Sequence, residues 1–197
     1  MAKLTLDDIS DLRASERERE EFRRRVMALK QARRVAVGPI VTVVFENRDT
    51  VRFQVQEMAR AERMLSDEQI QTELDIYNPL IPGPGELSAT LFVELGSKEE
   101  LEHWLPRLVG IERSLVLRPG DGPALRCTPE ESHEAQLTRQ EVTASVHYVR
   151  FSLDDRQVQR FAAGPTELAV DHPAYSHAVL LGEDTRRSLM EDLRPAR

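Results

Sequence analysis

FENRDTVRFQVQEMARAERMLSDEQIQTELDIYN, residues 45–78, is the stretch around which the rest of the chain is arranged. Its hydrophobic pattern predicts the end of a strand, a turn and two consecutive helices. Asn47 or Asp49 stands where the first helix needs a cap, and Ser66 followed by Gln69 forms a capping box for the second. The stretch therefore predicts a pair of helices with defined starts.

The first of these helices carries a carboxylic acid on its apolar side. Five residues fall at i, i+4, i+7, i+11 and i+14, the spacing of one helix face: Val51, Val55, Met58, Glu62 and Leu65. Gln54 lies on the same ridge and Glu57 flanks it. A carboxylate in an apolar stripe needs a cation, hydrogen-bond donors or a metal as its partner. Glu62 is therefore expected to join a structural salt bridge, for example with Arg60 or Arg63, to lie exposed at the edge of the stripe, or to serve a functional site.

The remainder of the chain predicts further helices around antiparallel strands. Helices are expected at 6–12 and 15–33, β-rich pieces at 34–46, strands at 87–95, 114–118, 124–127, 142–153, 167–170 and 178–181, and helices after Ser97, after Asp154 or Asp155, and at 184–193. This order predicts an α+β fold, with N-terminal helices followed by a mostly antiparallel sheet with packed helices. It favours a single α+β domain at 4–193, with a helical part at 4–79, a β-rich part at 87–193 and the Gly- and Pro-rich loop 80–86 between them.

Composition and charge limit the function classes. There are 27 Lys and Arg against 34 Asp and Glu, a net charge of -7, which argues against nonspecific nucleic-acid binding. The amino terminus lacks the basic segment and apolar run of a signal peptide, and no apolar window is long enough for a transmembrane helix, so a cytoplasmic protein without membrane contact is expected. The single cysteine, Cys127, excludes a disulfide framework and has no adjacent histidine to activate it.

A basic run ends the long second helix. Between Arg23 and Arg34 there are six basic residues and no acidic one, and Arg23, Arg24 and Arg25 are consecutive. Acidic residues crowd the start of the same helix, an order that complements the helix dipole. The run is interpreted as a solvated helix face or, alternatively, as a docking surface for an anionic partner.

Histidines supply the candidate metal ligands. His172 and His177 are placed in one predicted turn, DHPAYSH, and His147 lies in the middle of a predicted strand. Together with Glu57 or Glu62 they would suit zinc or iron, which are commonly held by His and carboxylate ligands. The alternatives are a hydrogen-bonded turn residue for His172 and a satisfied core histidine for His147.

Polar residues near these candidates complete the predicted site. Gln54, Tyr77, Asn78, Asp171 and Tyr175 are expected to hydrogen-bond the ligands instead of binding the metal directly. No HExxH, GxSxG, Walker or GxGxxG pattern occurs in the sequence, which argues against a nucleotide-dependent enzyme.

Four phrases of the sequence resemble a known bacterial family. FENRDTVRFQVQEM (45–58), YNPLIP (77–82), VHYVRF (146–151) and VDHPAY (170–175) resemble domain of unknown function 3501, and the resemblance extends over about 4–193. The family has no established activity. Its members look like small cytoplasmic proteins encoded beside rubrerythrin-like di-iron proteins and iron-sulfur oxidoreductases, so the resemblance implies a link to redox or oxidative-stress biology.

Two hypotheses follow from these patterns. In the first, the chain is an accessory protein that docks on an iron-containing redox partner through Arg23, Arg24 and Arg25. In the second, it is a metal-dependent enzyme or metal-binding module built on the His and Glu cluster. The two are compatible if the protein handles iron for its partners.

Overall fold

The computed structural model describes residues 1–130 and 142–194. Its helices are α1 (Leu12–Arg33), α2 (Arg48–Ala61), α3 (Asp67–Tyr77), α4 (Lys98–Trp104), α5 (Asp155–Ala163) and α6 (Glu183–Leu193), with 3-10 turns at Leu6–Asp8, Asn78–Leu80 and Ile111–Arg113. Its strands are β1 (Arg34–Ala36), β2 (Val41–Glu46), β3 (Glu86–Val93), β4 (Leu115–Pro119), β5 (Leu125–Arg126), β6 (Thr128–Pro129), β7 (Val146–Ser152), β8 (Thr166–His172) and β9 (Tyr175–Leu180). The α+β class with N-terminal helices is confirmed.

The strands form two antiparallel sheets rather than one. The first has the order β1-β2-β3-β7-β6 and the second the order β5-β4-β8-β9. β2 pairs with β3 from Val41 opposite Val93 to Glu46 opposite Ser88, so strands on both sides of loop 80–86 share one sheet. Buried side chains of both sheets, such as Phe45, form one hydrophobic core with residues of α5 and α6.

The helix starts lie where capping residues predict them. Asn47, Ser66, Ser97 and Asp154 each accept a hydrogen bond from a backbone N–H of the first helical turn and complete a capping box. Each cap satisfies N–H groups that have no partner within the helix. The helix predicted at 6–12 is instead the 3-10 turn Leu6–Asp8, and α1 starts at Leu12 because Asp11 caps it.

The expected apolar face of α2 is wrong beyond Ala61. Arg63 has a φ of 52°, a left-handed conformation that stops the helix, so Glu62 and Leu65 do not continue its face. Both side chains are exposed. Glu62 is therefore no buried carboxylate, since the chain turns toward the Ser66 cap one helical turn earlier than the periodicity suggested.

The histidines of DHPAYSH do not share a turn, which corrects a second expectation. β8 and β9 form a tight hairpin in which His172 is opposite Tyr175 and His177 is opposite Val170. Only Pro173 and Ala174 remain between the strands. The two histidines are therefore placed on opposite strands of the second sheet.

The first sheet has an unusual outer face, defined here as the face directed away from the shared core. Thr42, Glu46, Ser88 and Thr90 lie on this outer face, and all four are buried. α1 packs against β2, and α2 packs on both α1 and α3. Buried polar side chains under a helical layer are costly unless they are hydrogen-bonded, so this face is where a site is expected.

Candidate functional site

A cleft of about 260 Å³ separates the helical layer from the outer face of the first sheet. Its polar lining consists of Lys30, Glu46, Thr50, Gln54, Tyr77, Thr90 and Tyr148, and its apolar lining of Val51, Leu80, Phe92 and Val146. α1, α2 and α3 supply the roof, while β2, β3 and β7 supply the floor. An apolar pocket with a few convergent polar groups is the usual form of a small-molecule site.

Glu46 is the buried acid of this cleft. It ends β2 immediately before the cap of α2, and only 8% of its surface is exposed. Thr90 Oγ1 donates a hydrogen bond to Glu46 Oε1 at 2.7 Å. Among the described residues no donor is hydrogen-bonded to Glu46 Oε2. One carboxylate oxygen is therefore left to a partner inside the cleft, such as water or a ligand.

Tyr77 in the roof and Tyr148 in the floor of the cleft stay protonated at neutral pH. Burial, with smaller contributions from the nearby Tyr77 and Glu46, raises the pKa of Tyr148 to about 12. Burial also raises the pKa of Tyr77, against the effect of its hydrogen bond with Gln54. Both phenols therefore present hydroxyl groups that can donate and accept hydrogen bonds.

Lys30 brings a positive charge to the same cleft. It lies in the last turns of α1 and is partly buried. Within the described part of the chain it forms no salt bridge, including none with Glu46. The cleft thus carries one acid and one base that do not neutralise each other directly.

His147 behaves as a core histidine. It is 2% exposed, and its Nε2 lies 2.8 Å from Thr143 Oγ1 and 2.9 Å from Ala144 O. Burial lowers the pKa of the imidazole, because the charged form loses hydration. Its side chain is directed toward the shared core, on the face of β7 opposite Tyr148.

The other two histidines have separate surroundings. His172 Nε2 lies 3.0 Å from Val109 O, and its Nδ1 accepts from the backbone N–H of Ala174 at 3.1 Å. His177 is exposed, with its ring centroid 4.5 Å from that of Tyr175. For His172 these contacts fit the alternative of a hydrogen-bonded turn residue.

Glu57 is held in an ion pair. Arg19 binds both of its carboxylate oxygens, at 2.9 and 2.8 Å, and Arg60 Nε is 3.6 Å from Oε1. The hydrogen bond from Arg19, opposed by burial, lowers the pKa of Glu57. Glu57 is thus paired with arginines, whereas Glu62 is exposed. Among the residues that the structure describes, no three His, Cys, Asp or Glu side chains are grouped to hold a metal ion.

The five residues expected around the ligands divide between the cleft and the scaffold. Gln54 and Tyr77 line the cleft. Asn78 exchanges two hydrogen bonds with the backbone of Leu4, at 2.8 and 2.9 Å, and so fixes the amino terminus. Asp171 pairs with Arg126, and the hydroxyl of Tyr175 donates to Val37 O at 2.7 Å.

The basic run and the cysteine keep the positions expected of them. Arg23, Arg24 and Arg25 are all exposed on α1. Cys127 is buried, and its thiol lies 3.2 Å from Glu112 O. Burial raises the pKa of that thiol to about 12, so it is a poor nucleophile.

Sequence reasoning missed Lys30, Glu46, Thr90 and Tyr148. The available signal was the alternation of side chains along β2 and β3. It places Thr42, Val44 and Glu46 of β2 on the same face of the sheet as Ser88, Thr90 and Phe92 of β3. A polar face of this kind usually indicates solvent. Only the helical layer above it makes the face a site.

Fold and cleft together define an antiparallel α+β protein with a polar cleft under its N-terminal helices. The chain belongs to the family of proteins of unknown function DUF3501, whose match spans residues 3–193. It is similar to a crystal structure of a protein of unknown function from Burkholderia pseudomallei K96243, with 35% sequence identity and a TM-score of 0.90 over 98% of this chain and 100% of that chain. No curated protein matches the chain. The resemblance carried by the four phrases is thereby confirmed.

None of the helices in the described ranges is long and apolar enough to cross a membrane.

Proposed function

We propose that this protein binds a small polar molecule in the cleft between its N-terminal helices and the outer face of the first sheet. The observation that carries the proposal is Glu46, a carboxylate that is only 8% exposed, lines the cleft and has one oxygen bonded to Thr90. A hydrogen bond to a charged group contributes about 1.5–3 kcal/mol. A bound molecule that donates to the second oxygen would gain this contribution.

The walls of the cleft support a small ligand. Pockets for drug-sized molecules occupy roughly 300–1,000 Å³, and this cleft holds about 260 Å³. Apolar side chains such as Val51 and Val146 exclude water, while Gln54 and the two tyrosine hydroxyls give directional contacts. Such a lining recognises a molecule with both an apolar and a polar part.

A fragment screen read out by thermal unfolding tests the proposal. Fragments that bind the native state raise Tm, and the rise grows with the logarithm of the ratio of fragment concentration to Kd. Val146→Phe should fill the cleft from its floor, whereas Leu65→Phe adds the same group at a side chain that is 86% exposed.

We expect some fragments to raise the Tm of the original protein and of Leu65→Phe but not of Val146→Phe. The absence of any stabilising fragment, or equal shifts in all three proteins, would contradict binding in the cleft. Circular dichroism checks that both variants fold.

A second candidate function is the accessory role on an iron-containing redox partner in the cytoplasm. Exposure of Arg23, Arg24 and Arg25 on α1 favours it, because an accessible basic patch attracts an acidic protein surface. The patch lies on the same helix as Lys30.

A further inference from the structure

We infer that the ligand of the cleft is a zwitterion of the amino-acid type, with its ammonium group on Glu46, its carboxylate toward Lys30 and its apolar side chain against the apolar lining of the cleft. This inference rests on the proposed function and specifies the class of ligand.

The two charges are separate from each other. Glu46 and Lys30 line one cleft from opposite layers, β2 and α1, yet among the described residues no salt bridge joins them. Opposite charges in a partly apolar cavity attract strongly, because the surroundings screen them less than water does. A molecule that bears both charges can neutralise the two groups together.

The Glu46 end suits an ammonium group. The carboxylate is fixed by Thr90 on Oε1, which leaves Oε2 as an acceptor. An ammonium group carries three donors and no acceptor, so it matches a carboxylate with nearby phenol oxygens. Tyr77 and Tyr148 supply phenol oxygens on the wall and floor of the same cleft.

The Lys30 end suits a carboxylate. Lys30 extends from α1 and is partly buried, so its flexible stem can bring the ammonium group to a ligand inside the cleft. Gln54 lines the cleft from α2. Its side-chain amide adds a hydrogen-bond donor for the same group.

An apolar side chain completes the match. Val51, Leu80, Phe92 and Val146 make the rest of the lining. Burial of aliphatic or aromatic carbon against these side chains would stabilise the complex, by a free energy roughly proportional to the apolar area removed from water. The class of ligand is therefore a small apolar amino acid or a close analogue.

Isothermal titration with two matched sets of probes tests this inference. The first set is L-phenylalanine, 2-phenylethylamine and 3-phenylpropanoate, and the second is L-leucine, isopentylamine and 4-methylpentanoate. The apolar part is the same within each set. The amine lacks the carboxylate of the amino acid, and the acid lacks its ammonium group. We expect the amino acid to bind most tightly in at least one set.

Two substitutions assign the charges within that set. Glu46→Gln keeps an acceptor for Thr90. It should weaken binding of the amino acid and of the amine by about tenfold or more, the loss expected for one charged hydrogen bond. Lys30→Met should weaken binding of the amino acid and of the carboxylate by a similar factor. Glu94→Gln and Lys98→Met change exposed residues outside the cleft lining and should leave all affinities unchanged.

Other outcomes separate this inference from the proposed function. If an amine binds as tightly as its amino acid, or if Lys30→Met has no effect, the zwitterion is overturned while binding in the cleft stands. If none of the six probes binds but cleft-dependent fragments do, the ligand class is overturned and the proposed function stands. If no fragment binds either, both fail.

Discussion

Thr90 Oγ1 donates a 2.7 Å hydrogen bond to Glu46 Oε1 across the pair of strands β2 and β3, and both residues are buried beneath the N-terminal helices. Glu46 is opposite Ser88 in the register, so the contact is diagonal between neighbouring strands. It fixes one oxygen of a carboxylate that lines the cleft. The binding function proposed for this protein depends on that carboxylate.

Thr90→Val removes the donor and keeps the shape of the side chain. We expect the free energy of unfolding to fall by about 1–3 kcal/mol, because a largely buried carboxylate then loses its hydrogen bond from Thr90. Urea unfolding followed by circular dichroism measures the change.

The matched control is Thr42→Val. Thr42 Oγ1 donates to Glu94 Oε2 at 2.6 Å in the same sheet, but Glu94 is exposed and water can replace the donor. Its loss should cost less than about 1 kcal/mol. Equal losses in the two variants would show that Glu46 is no better shielded than Glu94.

Arg33 and Asp192 form the ion pair that joins α1 to α6. Their contact is 2.7 Å and Arg33 is fully buried. Arg33→Met should cost about 3–5 kcal/mol near neutral pH, because it leaves a buried carboxylate uncompensated. Arg33 also donates to Glu46 O at 3.3 Å, so the loss should reach the cleft.

The cost of Arg33→Met should depend on pH. Burial raises the pKa of Asp192 and Arg33 opposes this shift, so the pKa should rise further in the variant. A carboxyl whose pKa is raised on folding contributes stability below its unfolded pKa and loses it as pH rises through the folded pKa. The original protein and the variant should therefore differ less in free energy of unfolding at pH 5 than at pH 8. Urea unfolding at the two pH values measures this difference. The double variant Arg33→Met, Asp192→Leu should show no such narrowing.

Metal content tests the His and Glu cluster predicted from the sequence. We expect protein purified without a histidine tag to hold less than stoichiometric iron or zinc, because Arg19 occupies Glu57 and the backbone occupies His172. Elemental analysis of this protein and of a His172→Ala, His177→Ala variant measures it. Stoichiometric metal that disappears in the variant would make the cluster a metal site.

Partner capture tests the accessory role. Replacing Arg23, Arg24 and Arg25 by glutamine should weaken capture of a rubrerythrin-like di-iron protein or an iron-sulfur oxidoreductase, most strongly at low salt. Replacing Arg13, Arg17 and Arg156, which are also exposed, controls for the change in net charge. Unchanged capture at low salt would show that the basic run is not the docking surface.

Local signals predicted the helices well and their ends less well. A cap such as Ser66 acts within one turn of the chain, so the sequence alone carries its information. The end of α2 is different, since apolar spacing continues through Leu65 while the backbone already reverses at Arg63. Periodicity records which side chains could share a face, not where the helix stops.

Long-range pairing explains why the cleft was not predicted. Glu46 and Thr90 are separated by 44 positions, and they meet only because β2 pairs with β3. Tyr148 joins them from β7, still further along the chain. No local pattern encodes that register. The predicted ligands, by contrast, were grouped by residue type, and the fold distributes them between both sheets, α2 and the position just after α2.

The most direct test of binding in the cleft is methyl NMR of valine-labelled protein titrated with the fragment that stabilises it most. We predict that the signals of Val51 and Val146 shift in a saturable manner, because both methyl groups line the cleft, while those of Val35 and Val43 in the shared core do not. Saturable shifts at core or distant valines, with Val51 and Val146 unchanged, would contradict the site.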